Sequence, residues 1–318
     1  MTVFRSRVCA SAALRPAAGA GPARTAARSR AAAAVWTALA LAGAACTATN
    51  FLDPAGPRYY ETDRSAKPVE APRGPDAALR VVSFNIEFGR QIEGALNLLQ
   101  EADALRHPDI LLLQEMSGPG VVRMAAGLGM NYLYFPSGIH PQARQEYGTA
   151  ILSPWPIEAP SKLPLPYGAV FTGMRRAVTA ATIRWRDHPI RVYSVHLPAR
   201  MAVSESQRRQ QVALILDAAR RDPGPVIVAG DFNSSDIDSL FEQEGFAWVT
   251  KALPGTARFM RRWYRIDHVF TRGLGAADEA PPAGCVDAAG ISDHRAVWAR
   301  LRITAPPDPP DPPGPDRP

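Results

Sequence analysis

Six apolar runs in this 318-residue chain are ended, opened or broken by an acid, an amide or an imidazole. "LRVVSFNI" carries Asn85 and then Glu87, "DILLLQE" carries Gln114 and Glu115, "VYSVH" ends in His196, and "VIVAGDFN" ends in Asp231 and Asn233. "YRIDHVF" is broken by Asp267 and His268, and "SDHRAVW" opens with Asp293 and His294. Short apolar runs bounded by Pro, Gly or charge are the pattern of strands buried on both faces, which need no polar alternation. The chain is therefore constrained to sheets covered on both sides. Unpaired charge inside such sheets is costly. Either the polar ends are turn residues bonded to nearby backbone, or they converge on one site. Gly230 lets the backbone bend or approach a ligand closely, and in open α/β sheets ligands bind just past the strands' C-terminal ends. A convergent set supplies oxygen ligands for a hard divalent cation, a histidine with a carboxylate to orient it, and amide donors for an anion.

Between these runs the chain reads as hairpin-like strands, "NYLYFP", "GTAILS", "RAVTAATIRW" and "IRVYSVHL", interrupted by few helices. "QIEGALNLLQEADAL" is amphipathic, and a long helix is expected from Glu205 to Arg220, with Ser204 and Gln207 spaced for a capping box. This mixture predicts an α+β sandwich over residues 78–303, two mixed β-sheets packed face to face with helices outside. Residues 47–77, rich in Pro, Gly and charge, are expected to form a linker or tether. The Pro-rich tail, residues 304–318, lacks the backbone donors for helix or sheet and is expected to be extended and disordered.

Residues 1–46 hold six arginines and no acid, and "AAAAVWTALALAGAA" runs from Ala31 to Ala45. A basic start, a short apolar run and small residues predict an export signal. Cys46 follows directly and resembles the modified cysteine of bacterial lipoproteins, although the leucine that pattern prefers three places earlier is Gly43. A membrane-anchored lipoprotein and a soluble periplasmic protein both follow from this reading, and a monomer is expected. The net charge of +6 resides in the leader: without its six arginines, 36 Lys+Arg fall to 30, matching 30 Asp+Glu. Composition thus gives no support for non-specific nucleic-acid binding, which depends on excess positive charge. The cysteines are Cys9, Cys46 and Cys285. With one beyond the leader, an intrachain disulfide framework and a thiolate zinc site are excluded there.

"SFNIEFG", "DILLLQE", "YGTAILSP", "VHLPA", "GDFNSS", "RIDHVF" and "SDHRAVWA" occur in the order typical of the endonuclease/exonuclease/phosphatase (DNase I-like) superfamily, which this sequence resembles from Ala78 to Ile303. The resemblance implies a metal-dependent phosphoester hydrolase of the phosphodiesterase or nuclease type, using Mg²⁺ with Mn²⁺ as a substitute. It implies Glu115 as principal metal ligand, with Asn85, Asp293 and Glu87 as further metal-side groups. Asp231 matches the residue that positions or activates the attacking water, Asn233 a phosphate-oxygen donor, and His294, held by Asp267, the catalytic imidazole. His196 matches a histidine that some members use as general acid, and Glu146 stands where those members carry its glutamate partner. Arg176 stands where relatives place an arginine near substrate. The general base, Asp231 or His294, is left open.

Substrate choice lies in loops, for which "SGIHPQARQE" and "ALPGTARFMRRW" are the candidates, the latter leading into Trp263. Arginines interleaved with aromatics stack bases and hold phosphates, or press into an anionic membrane. Nucleic acid, phospholipid and small phosphoesters stay open as substrates. The rival reading of another class is a catalytically silent binding or scaffold protein on the same fold.

Overall fold

The computed structural model describes residues 48–62, 77–288 and 290–304. The expected export signal, the middle of the linker and nearly all of the Pro-rich tail lie outside the described residues. Ten long strands are labelled in chain order: β1 Leu79–Asn85, β2 Ile110–Met116, β3 Asn131–Ile139, β4 Glu146–Ser153, β5 Ile157–Pro164, β6 Ala177–Trp185, β7 His188–His196, β8 Val226–Asp231, β9 Asp267–Arg272 and β10 Ala296–Ile303. The helices are α1 Ile92–Glu101, α2 Gly118–Leu128, α3 Glu205–Arg220 and α4 Asp238–Gln243.

The strands form the expected pair of mixed sheets. In the nine-stranded sheet the long strands run β3-β4-β2-β1-β10, with β1 and β2 parallel. In the six-stranded sheet they run β9-β8-β7-β6-β5, with β7 and β8 parallel. Leu79, Val81, Ile110 and Leu112 of the first sheet meet Ile190, Val192, Ile227 and Val269 of the second in one buried cluster. The alternate residues face outward. Val82, Phe84, Leu111 and Leu113 pack with Leu96 and Leu99 of α1 and Val121 and Met124 of α2. Val226, Val228 and Phe270 pack with Val212 and Ile215 of α3 and Phe241 of α4. Coverage on both faces explains why the strand runs are apolar throughout. Each fully buried Val, Leu or Ile is worth about 1.5–3 kcal/mol relative to exposure.

Helix α3 has the predicted bounds and capping box: Ser204 Oγ accepts from Gln207 N–H, and Gln207 Oε1 accepts from Ser204 N–H. The tether expectation is corrected for residues 48–62. Thr49–Asn50 and Tyr59–Glu61 add short strands to β3, satisfying backbone groups that this sheet edge would otherwise leave open.

Candidate active site

Strand alternation and one bulge assemble the site. Along the inner faces, residues change from apolar to hydroxyl-bearing to polar or ionisable: Leu79, Val81, Ser83, Asn85 on β1, and Ile190, Val192, Ser194, His196 on β7. On β8 the sequence is Ile227, Ala229, Asp231. The inter-sheet core therefore ends, on one side, in a polar floor. Asp231 lies in register with His196 on its parallel neighbour and Asp267 on its antiparallel neighbour. Alternation separates Asp267 from His268, whose ring turns outward and donates from Nε2 to the Ser234 carbonyl at 2.9 Å. Gly230 answers to close approach: at φ 145° a Cβ there would lie 1.9 Å from the Val195 carbonyl oxygen.

Glu115 reaches the same floor through a bulge. Leu111, Leu113 and Met116 all join the outer cluster, which regular alternation forbids. The β2–β4 register shifts between Leu113 and Met116, and Glu115 adopts φ 62°. Its Oε2 accepts from Phe88 N–H at 2.9 Å. Asn85 Nδ2 lies 3.3 Å from Glu115 Oε1, 3.1 Å from Asp231 Oδ2 and 3.5 Å from His294 Nε2. One amide thus ties together groups from both sheets.

His294 donates from Nδ1 to Asp267 at 3.0 Å, and its Nε2 lies 3.7 Å from Asp231 Oδ2. Its backbone N–H donates to Ser292 Oγ, whose hydroxyl donates to the Asn85 carbonyl. Burial alone would lower its pKa, but Asp267 and Asp231 outweigh burial and push it up to about 10. Burial raises the Asp231 pKa to about 7, with Asp267 adding to the rise and His294 opposing it. At neutral pH, His294 is an imidazolium and Asp231 is poised to exchange a proton. Partial desolvation also raises the pKa of the half-exposed Asp293, whose carboxylate lies 4.0 Å from His294 Nε2.

Other predicted residues are placed differently. His196 is buried with Nε2 3.4 Å from Asp231 and 3.9 Å from Glu115. Burial, then Arg176 and His294, hold its pKa well below the ordinary histidine range. That shift disfavours the protonated ring a general acid would need. Its expected partner Glu146 is elsewhere. Tyr147 and Thr149 face inward on β4, so Glu146 turns outward, where it accepts from Tyr59 Oη at 2.9 Å and from Gly118 N–H at the start of α2 at 3.2 Å. That is a helix-terminus role. His196 Nδ1 has no hydrogen-bond partner among the described residues.

Asn233, at φ 50°, donates from Nδ2 to the Leu197 carbonyl at 2.9 Å and to Asp231 at 3.1 Å, while its backbone N–H donates to Asp231 Oδ1. One side-chain amide hydrogen and the backbone N–H thus orient Asp231, and the other amide hydrogen is held by Leu197, where a phosphate donor was expected. Glu87 pairs its carboxylate with Arg90 and donates its backbone N–H to Asn85 Oδ1. Asn85 accordingly presents its NH₂ to the acids, where metal ligation would use its oxygen. Trp263 lies in the short hairpin Ala257–Phe259/Arg262–Tyr264, with the Arg295 guanidinium 3.8 Å from its ring centroid. That hairpin is fixed to the site strand by Arg258 N–H to the Asp293 carbonyl and Arg295 N–H to the Thr256 carbonyl.

An aromatic wall was missed in the sequence. Tyr147 is buried with its hydroxyl toward Glu115. Its ring lies 5.7 Å from His196, 5.1 Å from His140 and 5.5 Å from Phe88. Alternation from Ile151 and Thr149 to Tyr147 was the available signal. Arg176 lies 4.5 Å over the Tyr147 ring, and its buried Nε and Nη1 have no hydrogen-bond partner among the described residues. Leaving two buried N–H groups of a half-buried guanidinium unmatched is costly, and an arriving anion would satisfy them.

The donor set fits a hard divalent cation. Asp231 and Asp267 bring carboxylate oxygens within 4.8 Å of each other, beside the charged His294 ring. Glu115 and Asp231 share the Asn85 amide, which leaves an excess of anionic oxygen beside it. Oxygen-rich sites of this kind suit Mg²⁺ or Mn²⁺.

Residues 82–294 match the model of the Endonuclease/Exonuclease/phosphatase family. No curated protein matches the chain. Among solved structures, an endonuclease/exonuclease/phosphatase family protein from Leptotrichia buccalis C-1013-b is 15% identical, with a TM-score of 0.56, covering 72% of this chain and 100% of that one. One from Beutenbergia cavernae DSM 12333 is 19% identical, with a TM-score of 0.57, covering 71% and 72% respectively. A humanized D. rerio TDP2 is 17% identical, with a TM-score of 0.52, covering 71% and 99%. At these identities the structural likeness speaks to the fold.

Proposed function

Since the chain belongs to the endonuclease/exonuclease/phosphatase family, whose members are generally metal-dependent phosphoester hydrolases, we propose that it hydrolyses a phosphodiester outside the cytoplasm, with Mg²⁺ as cofactor. The observation that carries this reading is the buried Asp267–His294–Asp231 chain, closed by Asn85 and Glu115 at the polar end of the core. Asp231 is the general base: a pKa near 7 suits it to take the proton of the attacking water. His294, charged and oriented by Asp267, donates from Nε2 to a phosphate oxygen. Of the two candidate bases, Asp231 and His294, this reading takes Asp231. The P–O bond opposite the attacking water breaks, and the leaving oxygen is protonated from solvent. Glu115, with neighbouring site oxygens, would hold the cation, which supplies Lewis-acid neutralisation of charge on the phosphate and leaving oxygen. Action outside the cytoplasm is supported by the basic and apolar composition of residues 1–46.

The test is an assay of the full chain, with Mg²⁺ or Mn²⁺, on bis-p-nitrophenyl phosphate, plasmid DNA, RNA and phospholipid vesicles. Cleavage of at least one substrate, stopped by EDTA and restored by the added ion, is expected. Inactivity on all four by a folded protein would sink the proposal and favour the silent binding reading.

Arg176 is assigned to the substrate's anionic group. Arg176→Ala is expected to raise KM about 10- to 100-fold, the worth of a charged hydrogen bond, with a smaller change in kcat. Arg176→Lys should recover only part, because an ammonium lacks the planar fork. Unchanged steady-state kinetics in both variants would remove Arg176 from the binding site.

A further inference from the structure

Two loops at the site end of the six-stranded sheet carry bare apolar side chains. One leads into β6 and exposes Val170 at 72% and Phe171 at 84%; the other follows His196 and exposes Met201 at 84%. They are joined by Val170 N–H donating to the Ala202 carbonyl at 2.9 Å. Arg200, also exposed, stands beside Met201. Apolar side chains this exposed gain nothing from the fold itself.

The chain enters the described fold at this point. Ala48 N–H donates to the Thr172 carbonyl at 2.8 Å, next to Phe171, and Asn50 Nδ2 donates to the Gly173 carbonyl at 2.9 Å. Ala48 is two residues after Cys46 and three after the apolar run Ala31–Ala45. Two residues span at most about 7 Å. A segment whose composition is that of a membrane-directed leader is thus joined, through only two residues, to a backbone that is hydrogen-bonded beside Phe171.

We propose that Val170, Phe171 and Met201 form a seat on a phospholipid bilayer, entering its interfacial layer with Arg200 at headgroup level. Aromatic and aliphatic side chains flanked by arginine suit that layer. A protein partner fits less well, because a stable interface buries roughly 800 Å² per partner and three side chains fall short of it. The bilayer is favoured further by the chain's own leader, which ends in sequence two residues before Ala48. Seating these loops turns the site end of the sandwich toward the membrane surface. The inference does not depend on which ester is cleaved, nor on catalysis.

The test is amide hydrogen exchange of the full chain with and without vesicles of phosphatidylcholine and phosphatidylglycerol. Exchange across residues 168–173 and 199–203 should slow at least about fivefold on vesicles. The β6–β7 turn with the first residue of β7, residues 186–188, lies at the opposite end of its sheet and should not change. The triple variant Val170→Ser, Phe171→Ser, Met201→Ser should lose the protection while keeping its circular dichroism, because all three side chains are exposed. The leader is present in both proteins, so its attachment to vesicles cannot account for a difference. Equal exchange with and without vesicles, protection that survives the triple substitution, or equal protection at 186–188 would each overturn the proposal.

Discussion

Asp231→Asn is expected to lower kcat about 10²–10⁴-fold, the usual contribution of a general base, while KM stays within a few-fold. The amide keeps the shape of the carboxylate but cannot take a proton from water. The same substitution should alter how stability depends on pH. Burial, with Asp267 opposite, raises the Asp231 pKa to about 7 from an ordinary value of 3.8. Between these values the folded state holds a proton that the unfolded chain has released. This group's contribution to stability therefore falls as pH rises from about 4 to about 7 and then levels. Asp231→Asn should flatten that fall, so the variant gains on the wild type as the pH approaches 8. Urea unfolding at pH 5 and pH 8, beside steady-state kinetics, checks both parts. A variant within threefold of wild-type kcat would exclude Asp231 as the base.

His294→Gln is expected to be the other severe substitution, costing about 10²–10³-fold in kcat through loss of a charged donor to the phosphate. Here too the sign can be worked out. Burial works against the charged ring, yet Asp267 and Asp231 raise its folded pKa to about 10, above the ordinary 6.5. The stability this gives is fully present below about 6.5 and is lost as pH rises through 10. The variant should accordingly be weakest relative to wild type at pH 6, by an amount on the order of a few kcal/mol, and should approach wild type near pH 10. A stability difference that is constant across this range would show that Asp267 and Asp231 do not hold a proton on His294. Asp231→Asn and His294→Gln should not add in a double variant, because the two side chains face each other.

Most of the sandwich was legible because its strands are apolar on both faces and its longest helix has a capping box. Helix α2 was missed since "SGPGVV" reads as a loop, although Ser117 caps it, accepting from Gly120 N–H, and a proline occupies its first turn. The short edge strands at 49–50 and 59–61 were missed because their stability comes from β3, which local sequence does not display. Site membership was legible where a polar residue ended an apolar run, as for Asp231 and His294. It failed where side-chain direction decided the outcome. Glu146 and Tyr147 are neighbours, and the face of β4 each occupies, rather than its chemical type, sends one to α2 and the other to the site. Motif order could not reveal the partners of Asn85 and Asn233, whose amide hydrogens are engaged with site acids and backbone.

The candidate catalytic group is split between the two layers, with Asn85 and Glu115 from one sheet and His196, Asp231 and Asp267 from the other. Thr149 and Thr179 pin the layers together nearby, with their hydroxyl oxygens 2.9 Å apart. Turnover is therefore a vernier for sliding of one sheet over the other. A displacement too small to disturb either sheet's own hydrogen bonds still separates proton acceptor from amide clamp, so activity should fade on warming before circular dichroism records any loss of strand.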